Sequence, residues 1–189
     1  MIDFSLFEKK INIHFKNKKL LEQAFIHRSY INENGGTKLE HNERLEFLGD
    51  AVLELIVTDY LYNKYGDKDE GELTAYRSSL VNATICGEIA SELGMNEYLL
   101  LSKGEAKDTG RARQYILANA LEAIIGAIYL DTGYDIAKDF ILERIAKPMT
   151  DKIIEEELWI DAKSKFQEKA QEFVSTTPSY KTLKEIGPD

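Results

Sequence analysis

"HNERLEFLGD", residues 41–50, decides how the rest of this chain is read. In a helix its carboxylates at Glu43, Glu46 and Asp50 fall three and four residues apart and line one face. Leu45, Leu48 and Val52 keep the same spacing on a neighbouring face, so an acidic stripe runs beside an apolar one that must be buried. Like charges stacked in this way repel. Something has to hold them at the edge of a core.

A second stretch bears on what that is. In "ILANALEAIIGAIYL", residues 116–130, only Asn119, Glu122 and the Tyr129 hydroxyl are polar, which predicts a helix running through the core with Glu122 buried in it. A buried carboxylate takes up a proton or finds a cation. An arginine such as Arg44 or Arg77 would serve, and so would a metal. Glu46 and Asp50 on one helix, with Asn119 and Glu122 on the other, make four oxygen-bearing side chains and no Cys or His. Hard oxygen ligands in that number suit Mg²⁺ or Mn²⁺ rather than zinc. A divalent cation would hold the acids together and lower the pKa of a bound water for attack on phosphorus. A di-iron bundle would need Glu-x-x-His pairs, which neither helix has.

The remaining chain reads as helical almost throughout. "NKKLLEQAFIHRS" opens on Asn17 as an N-cap, and the pattern from His41 to Tyr65 closes at Gly66. "GELTAYRSSLVNATICGEIASEL" reads as one helical stretch, and "RQYILANALEAIIGAIYLD" ends at Gly133. Helices are expected from Asp135 to Ala146 and from Met149 to Leu158, with Pro148 at the break. The single Cys86 excludes a disulfide framework and reads as a buried thiol in a reducing compartment. The N-terminus carries no signal-peptide pattern and no stretch reads as a membrane span, so the expected location is cytoplasmic, without membrane partners. A net charge of −9 argues against a polyanionic partner unless bound cations invert the local field.

"HNERLEFLGDAVLEL" resembles the signature of the bacterial ribonuclease III family, and "FIHRSY" and "ILANALEAIIGAIYLD" resemble its flanking blocks in the same order. The similarity covers essentially the whole chain. It implies an all-α endonuclease domain over residues 1–158, a homodimer that uses Mg²⁺, with Mn²⁺ as a substitute, and no small-molecule cofactor. Its activity would be hydrolysis of both strands of double-stranded RNA to 5′-phosphate and 3′-hydroxyl ends, in processing of ribosomal precursors and other structured transcripts. By position, Asp50 and Glu122 match the catalytic carboxylates, and Glu46, Asn119 and Glu122 the metal ligands. Asn119 departs from the family, which usually has Asp there. An amide oxygen still coordinates Mg²⁺, but with one charge fewer, so a higher Mg²⁺ requirement is expected. A non-catalytic dimer that binds structured RNA is the alternative this departure favours.

Phe47 alone would read as ordinary core packing. The resemblance instead places it in a socket on the partner subunit, while Glu43 reads either as a support of that interface or as a solvated side chain. His27, in "FIHRSY", lacks the oriented partner a general base needs and reads as structural. Lys103, Lys107, Arg111 and Arg113 form a basic cluster before the Glu122 helix and are candidates for phosphate contact. From residue 159 the text resembles a linker and the opening of an α+β double-stranded-RNA-binding domain: a helix, Pro178, and a first strand around Tyr180 to Ile186. The sheet and second helix of that module do not follow, so residues 159–189 read as an incomplete copy, loosely ordered and weak in RNA binding, of a truncated chain.

Overall fold

The computed structural model describes residues 2–35, 39–155 and 162–181. Ten α-helices carry the described residues. Short helices α1 (Ser5–Ile11), α2 (Lys18–Ala24) and α3 (Arg28–Glu33) precede the long α4 (Glu43–Lys64). Then come α5 (Glu70–Leu80), α6 (Ala83–Glu92), the second long helix α7 (Arg111–Thr132), α8 (Tyr134–Ile141), α9 (Lys147–Glu155) and α10 (Ala162–Val174). Between α6 and α7 lie two 3₁₀ turns, Met95–Glu97 and Glu105–Lys107. A parallel bridge, Ile26 to Leu100, ties the start of that connection to the α2–α3 link.

Asn17 caps α2 as its position predicts, accepting from Lys19 N. The expected long helix between residues 71 and 93 is two. Asn82 accepts from Ile85 N and starts α6 afresh, so its side chain competes successfully with continuation of α5. The break expected at Pro148 is also displaced. A π-helical turn, Leu142–Ala146, joins α8 to α9, and Pro148 sits in the first turn of α9, where a missing N–H costs nothing. The expected helix end at Leu158 and the expected strand beyond Lys181 fall outside the described residues. Within them, the stretch from Thr176 to Lys181 forms no regular element, while the helix expected before Pro178 is α10.

α7 is the axis of the core. It is long and apolar enough, by length and composition, to pass as a membrane span, yet most of its apolar stretch is buried inside the protein. Leu121, Ile124, Ile125 and Ile128 are fully buried and meet Leu53, Ile56, Val57 and Leu61 of α4, with α6 and α8 packed alongside. At its far end Asp131 accepts from the backbone N–H groups of Lys16 and Asn17, at 2.7 and 2.8 Å, which anchors the start of α2.

The α4–α7 crossing is unusually close, and two glycines make it so. A Cβ on Gly49 would overlap the Glu122 carbonyl oxygen and come within 2.8 Å of Gly126 N. A Cβ on Gly126 would overlap the Leu45 carbonyl oxygen. The two backbones are therefore in contact, at a point flanked by the residues that carry the acids. Gly49→Ala should lose about 3 kcal/mol or more to overpacking, against about 1 kcal/mol gained in helix propensity. A drop in the urea midpoint checks this; an unchanged midpoint would show that the helices separate at no cost.

Candidate metal centre

Glu46 and Asp50 stand on α4 either side of Gly49, and Glu122 lies on α7 at the contact point itself, so the glycine crossing draws the three together. Glu46 and Glu122 are half-buried and Asp50 is exposed. Glu122 is thus less enclosed than an all-apolar helix predicts, because it lies at the rim of the crossing. Burial, followed by the charges of Asp50 and Glu46, pushes its carboxyl up to about 7. Burial, Glu43 and Asp50 raise Glu46 in the same way. The charges that shift Glu122 are those of Asp50 and Glu46; neither Arg44 nor Arg77 is among them, and Arg77 instead donates to Thr58 Oγ1 at 3.2 Å. The arginine pairing considered for Glu122 is therefore absent among the described residues.

Asn119 is exposed on α7, one turn before Glu122. Beneath the acids lies Cys86, fully buried, its thiol pushed up to about 12 by burial and by Glu122 and Asp50. It is inert, as its apolar setting predicts. Among the described residues, no three His, Cys, Asp or Glu side chains converge closely enough to hold an ion directly. The arrangement still fits Mg²⁺, which keeps several waters and takes one or two carboxylates rather than a full protein cage. The unbalanced negative charge is the observation that supports the fit.

The other predicted residues divide. Phe47 is 82% exposed, which excludes the core-packing reading. Glu43 opens α4, exposed, 3.8 Å from Arg28 and 3.7 Å from His41. His27 caps α3: its Nδ1 accepts from Ser29 N and lies 2.8 Å from Ser29 Oγ, and burial holds its pKa below the usual range. Of the basic cluster, Lys103 and Lys107 face solvent, Lys103 with Glu33 as its nearest acid at 3.9 Å. Arg113 is turned inward. It donates to Asn96 Oδ1 at 2.9 Å and to the Glu105 carbonyl at 2.6 Å, bracing the loop from within. Arg111 lies against Tyr115, a residue the sequence reading passed over.

Among the described residues the fold is helical throughout, with an acidic cluster at its central crossing. The family described as Ribonuclease-III-like matches residues 17–149. Ribonuclease 3 of Clostridium perfringens is 45% identical over 181 residues, which is 96% of this chain and 75% of the relative. Ribonuclease 3 of Aliarcobacter butzleri is 44% identical over 189 residues, 100% of this chain and 81% of the relative. Among solved structures, the nuclease domain of ribonuclease III from Campylobacter jejuni superposes with a TM-score of 0.70 at 41% identity, covering 77% of this chain and 97% of that one. The chain belongs to the ribonuclease III family and is an endoribonuclease.

Proposed function

We propose that this enzyme hydrolyses both strands of double-stranded RNA, leaving 5′-phosphate and 3′-hydroxyl ends, with Mg²⁺ or Mn²⁺ held by Glu46, Asn119 and Glu122 and with Asp50 and Glu122 as its catalytic carboxylates. The observation that carries this reading is the gathering of Glu46, Asp50 and Glu122 at one helix crossing, with no cation paired to them among the described residues. A bound divalent ion would supply Lewis-acid polarisation of the phosphate and an activated water. The chain's own part is to orient the ligands through the rigid α4–α7 contact.

Residues 1–158 form the nuclease domain in this reading, and 159–189 belong to a linker and an RNA-binding module. Ribosomal precursors and other structured transcripts in the cytoplasm are the proposed substrates. Incubating a labelled RNA duplex with the protein, with Mg²⁺ and with EDTA, tests the proposal. Mg²⁺-dependent products with 5′-phosphates are expected; intact duplex retained as a protein complex would favour the non-catalytic reading that the neutral Asn119 motivates.

Asn119→Asp should lower the Mg²⁺ concentration for half-maximal cleavage by about tenfold, on the order of one added charge–ion contact. A titration of rate against Mg²⁺ checks it. An unchanged midpoint would place Asn119 away from the ion.

Two copies are needed to cut two strands with one acid cluster each, and α4 offers the face. Phe47, Ala51, Leu55, Thr58 and Tyr62 recur at helical spacing along its exposed side, with Phe47, Leu55 and Tyr62 at 82, 58 and 71% exposure. Phe47 and Tyr62 lie nearly equidistant from Leu55. An antiparallel α4 pair with its two-fold axis near Leu55 would set Phe47 beside Tyr62 of the partner subunit. An open cavity of about 460 Å³ there, with Leu61, Tyr62 and Leu73 among its lining and Lys68, Glu70 and Arg77 contributing charge, has room for a phenyl ring. In the Campylobacter jejuni nuclease domain, a region involved in dimer formation is structurally flexible.

A further inference from the structure

α7 carries more than its acids on the side that faces solvent. Arg111, Tyr115, Asn119 and Glu122 follow at intervals of four, four and three, and all four are exposed or half-exposed. They form one ladder, with Tyr115 about 6 Å along the axis from Asn119 and Arg111 one turn further. The Arg111 guanidinium lies 5.7 Å from the Tyr115 ring centroid, and its Nη2 donates to the Tyr115 hydroxyl at 3.2 Å. The tyrosine thus holds the cation by ring and oxygen at once. Among the described residues, that bond is the one polar contact of a group with five N–H donors. Beside the pair a cavity of about 70 Å³, lined by Ala83, Thr84, Arg111, Gln114 and Tyr115, leaves space for a small anionic group.

Two further observations single Arg111 out. It is the first residue of α7, where the helix dipole disfavours a cation, and Gly110 before it provides no side-chain cap. A residue kept against a local rule is expected at a functional position. Among the described residues the neighbouring cations are differently placed: Arg113 is spent on Asn96 and Glu105, Lys103 has Glu33 beside it, and Lys107 faces solvent from the second 3₁₀ turn with no ring against it.

The geometry points to Tyr115 as a positioning residue that fixes Arg111 for a phosphate of the RNA strand, flanking the one that meets the acids. This rests on the RNA-cleaving reading above. An acidic rim repels a polyanion, and a pre-set guanidinium on the same ladder gives the strand one attractive anchor and a register. Because Tyr115 acts only through Arg111, the two positions must be coupled.

The test is equilibrium binding of a labelled RNA duplex by the whole chain in EDTA, over a salt series, for the wild type, Arg111→Ala, Tyr115→Ala, Tyr115→Phe and the double alanine variant. Arg111→Ala should weaken binding about tenfold, the scale of one charge-assisted hydrogen bond, and flatten the slope of log K against log salt by about 1. Tyr115→Ala should reproduce most of that loss with its thermal melting unchanged, and Tyr115→Phe, which keeps the ring, a smaller part. The double variant should bind no more weakly than Arg111→Ala alone. Wild-type affinity in Tyr115→Ala, or losses that simply multiply in the double variant, would overturn the assignment. Cleavage of the same duplex by the wild type in Mg²⁺ is scored separately: its absence would sink the nuclease reading, while the binding cycle still decides the role of Tyr115.

Discussion

Glu122→Ala should reduce Mg²⁺-dependent duplex cleavage by about three orders of magnitude or more, beyond the 10–100-fold typical of losing a group that merely supports a ligand. The same change should leave the metal-free fold intact or strengthen it, because the charge it removes is half-buried beside two others of the same sign. The pH dependence follows from the direction of the shift. The carboxyl sits at about 7 in the folded chain against an ordinary 4.5, so between those values the native state binds the extra proton. Metal-free stability therefore falls as pH rises from about 4.5 to about 7 through this group, and the cost is fully present above that window. Glu122→Gln should raise the melting temperature at pH 8 and leave it nearly unchanged at pH 4.5. Mg²⁺ should stabilise the wild type most above pH 7 and least near pH 5, where protons occupy the site. Calorimetry at both ends of the range checks all three; equal stabilisation by Gln at pH 4.5 and 8 would show that Glu122 is not the group that titrates, and wild-type cleavage by the alanine variant would remove it from the chemistry.

Phe47→Ala should separate the protomers without unfolding them. A side chain 82% exposed in one copy contributes little to that copy's own stability, so the isolated chain should melt as before. In a two-fold dimer the same ring is buried twice. Truncating a buried Phe costs roughly 3 kcal/mol or more, and each 1.4 kcal/mol or so is tenfold in affinity, so dimer affinity should fall by about a hundredfold or more for each of the two contacts. Sedimentation over a dilution series, paired with melting of the dilute monomer, distinguishes the cases. A variant that dimerises as well as the wild type, or a wild type that is monomeric throughout, would refute the interface; a variant that loses its fold on dilution would show that the protomer does not fold without its partner.

The two long helices were legible in the sequence because periodicity over 22 residues is a strong signal and glycines stand at their ends. The pairing of acids across them was legible too, from residue type alone. The α5–α6 break was not, since apolar spacing continues through Val81 and Ala83, and the decision rests on one Asn82 side chain. The burial of Glu122 was overstated because helical spacing tells which face a residue takes and not how near the rim it lies. Arg113 looked like its basic neighbours because its partner Asn96 lies 17 residues away, across a loop whose course the sequence does not specify. Phe47 is the opposite case: composition assigns a phenylalanine to the interior, and only the family pattern moved it to the surface.

Backbones in contact at Gly49 and Gly126 hold Glu46, Asp50 and Glu122 near one another, so the repulsion among these carboxylates counts against the native chain. An ion that binds only the native chain then adds stability by mass action, by about 2.7 kcal/mol at a hundred times its dissociation constant. For a marginally stable chain that is enough to change the fraction open to proteases several-fold. Were Mg²⁺ bound as proposed, its concentration would govern how long each copy of the enzyme survives as well as how fast it works, and scarcity of the ion would thin the population before it slowed the survivors.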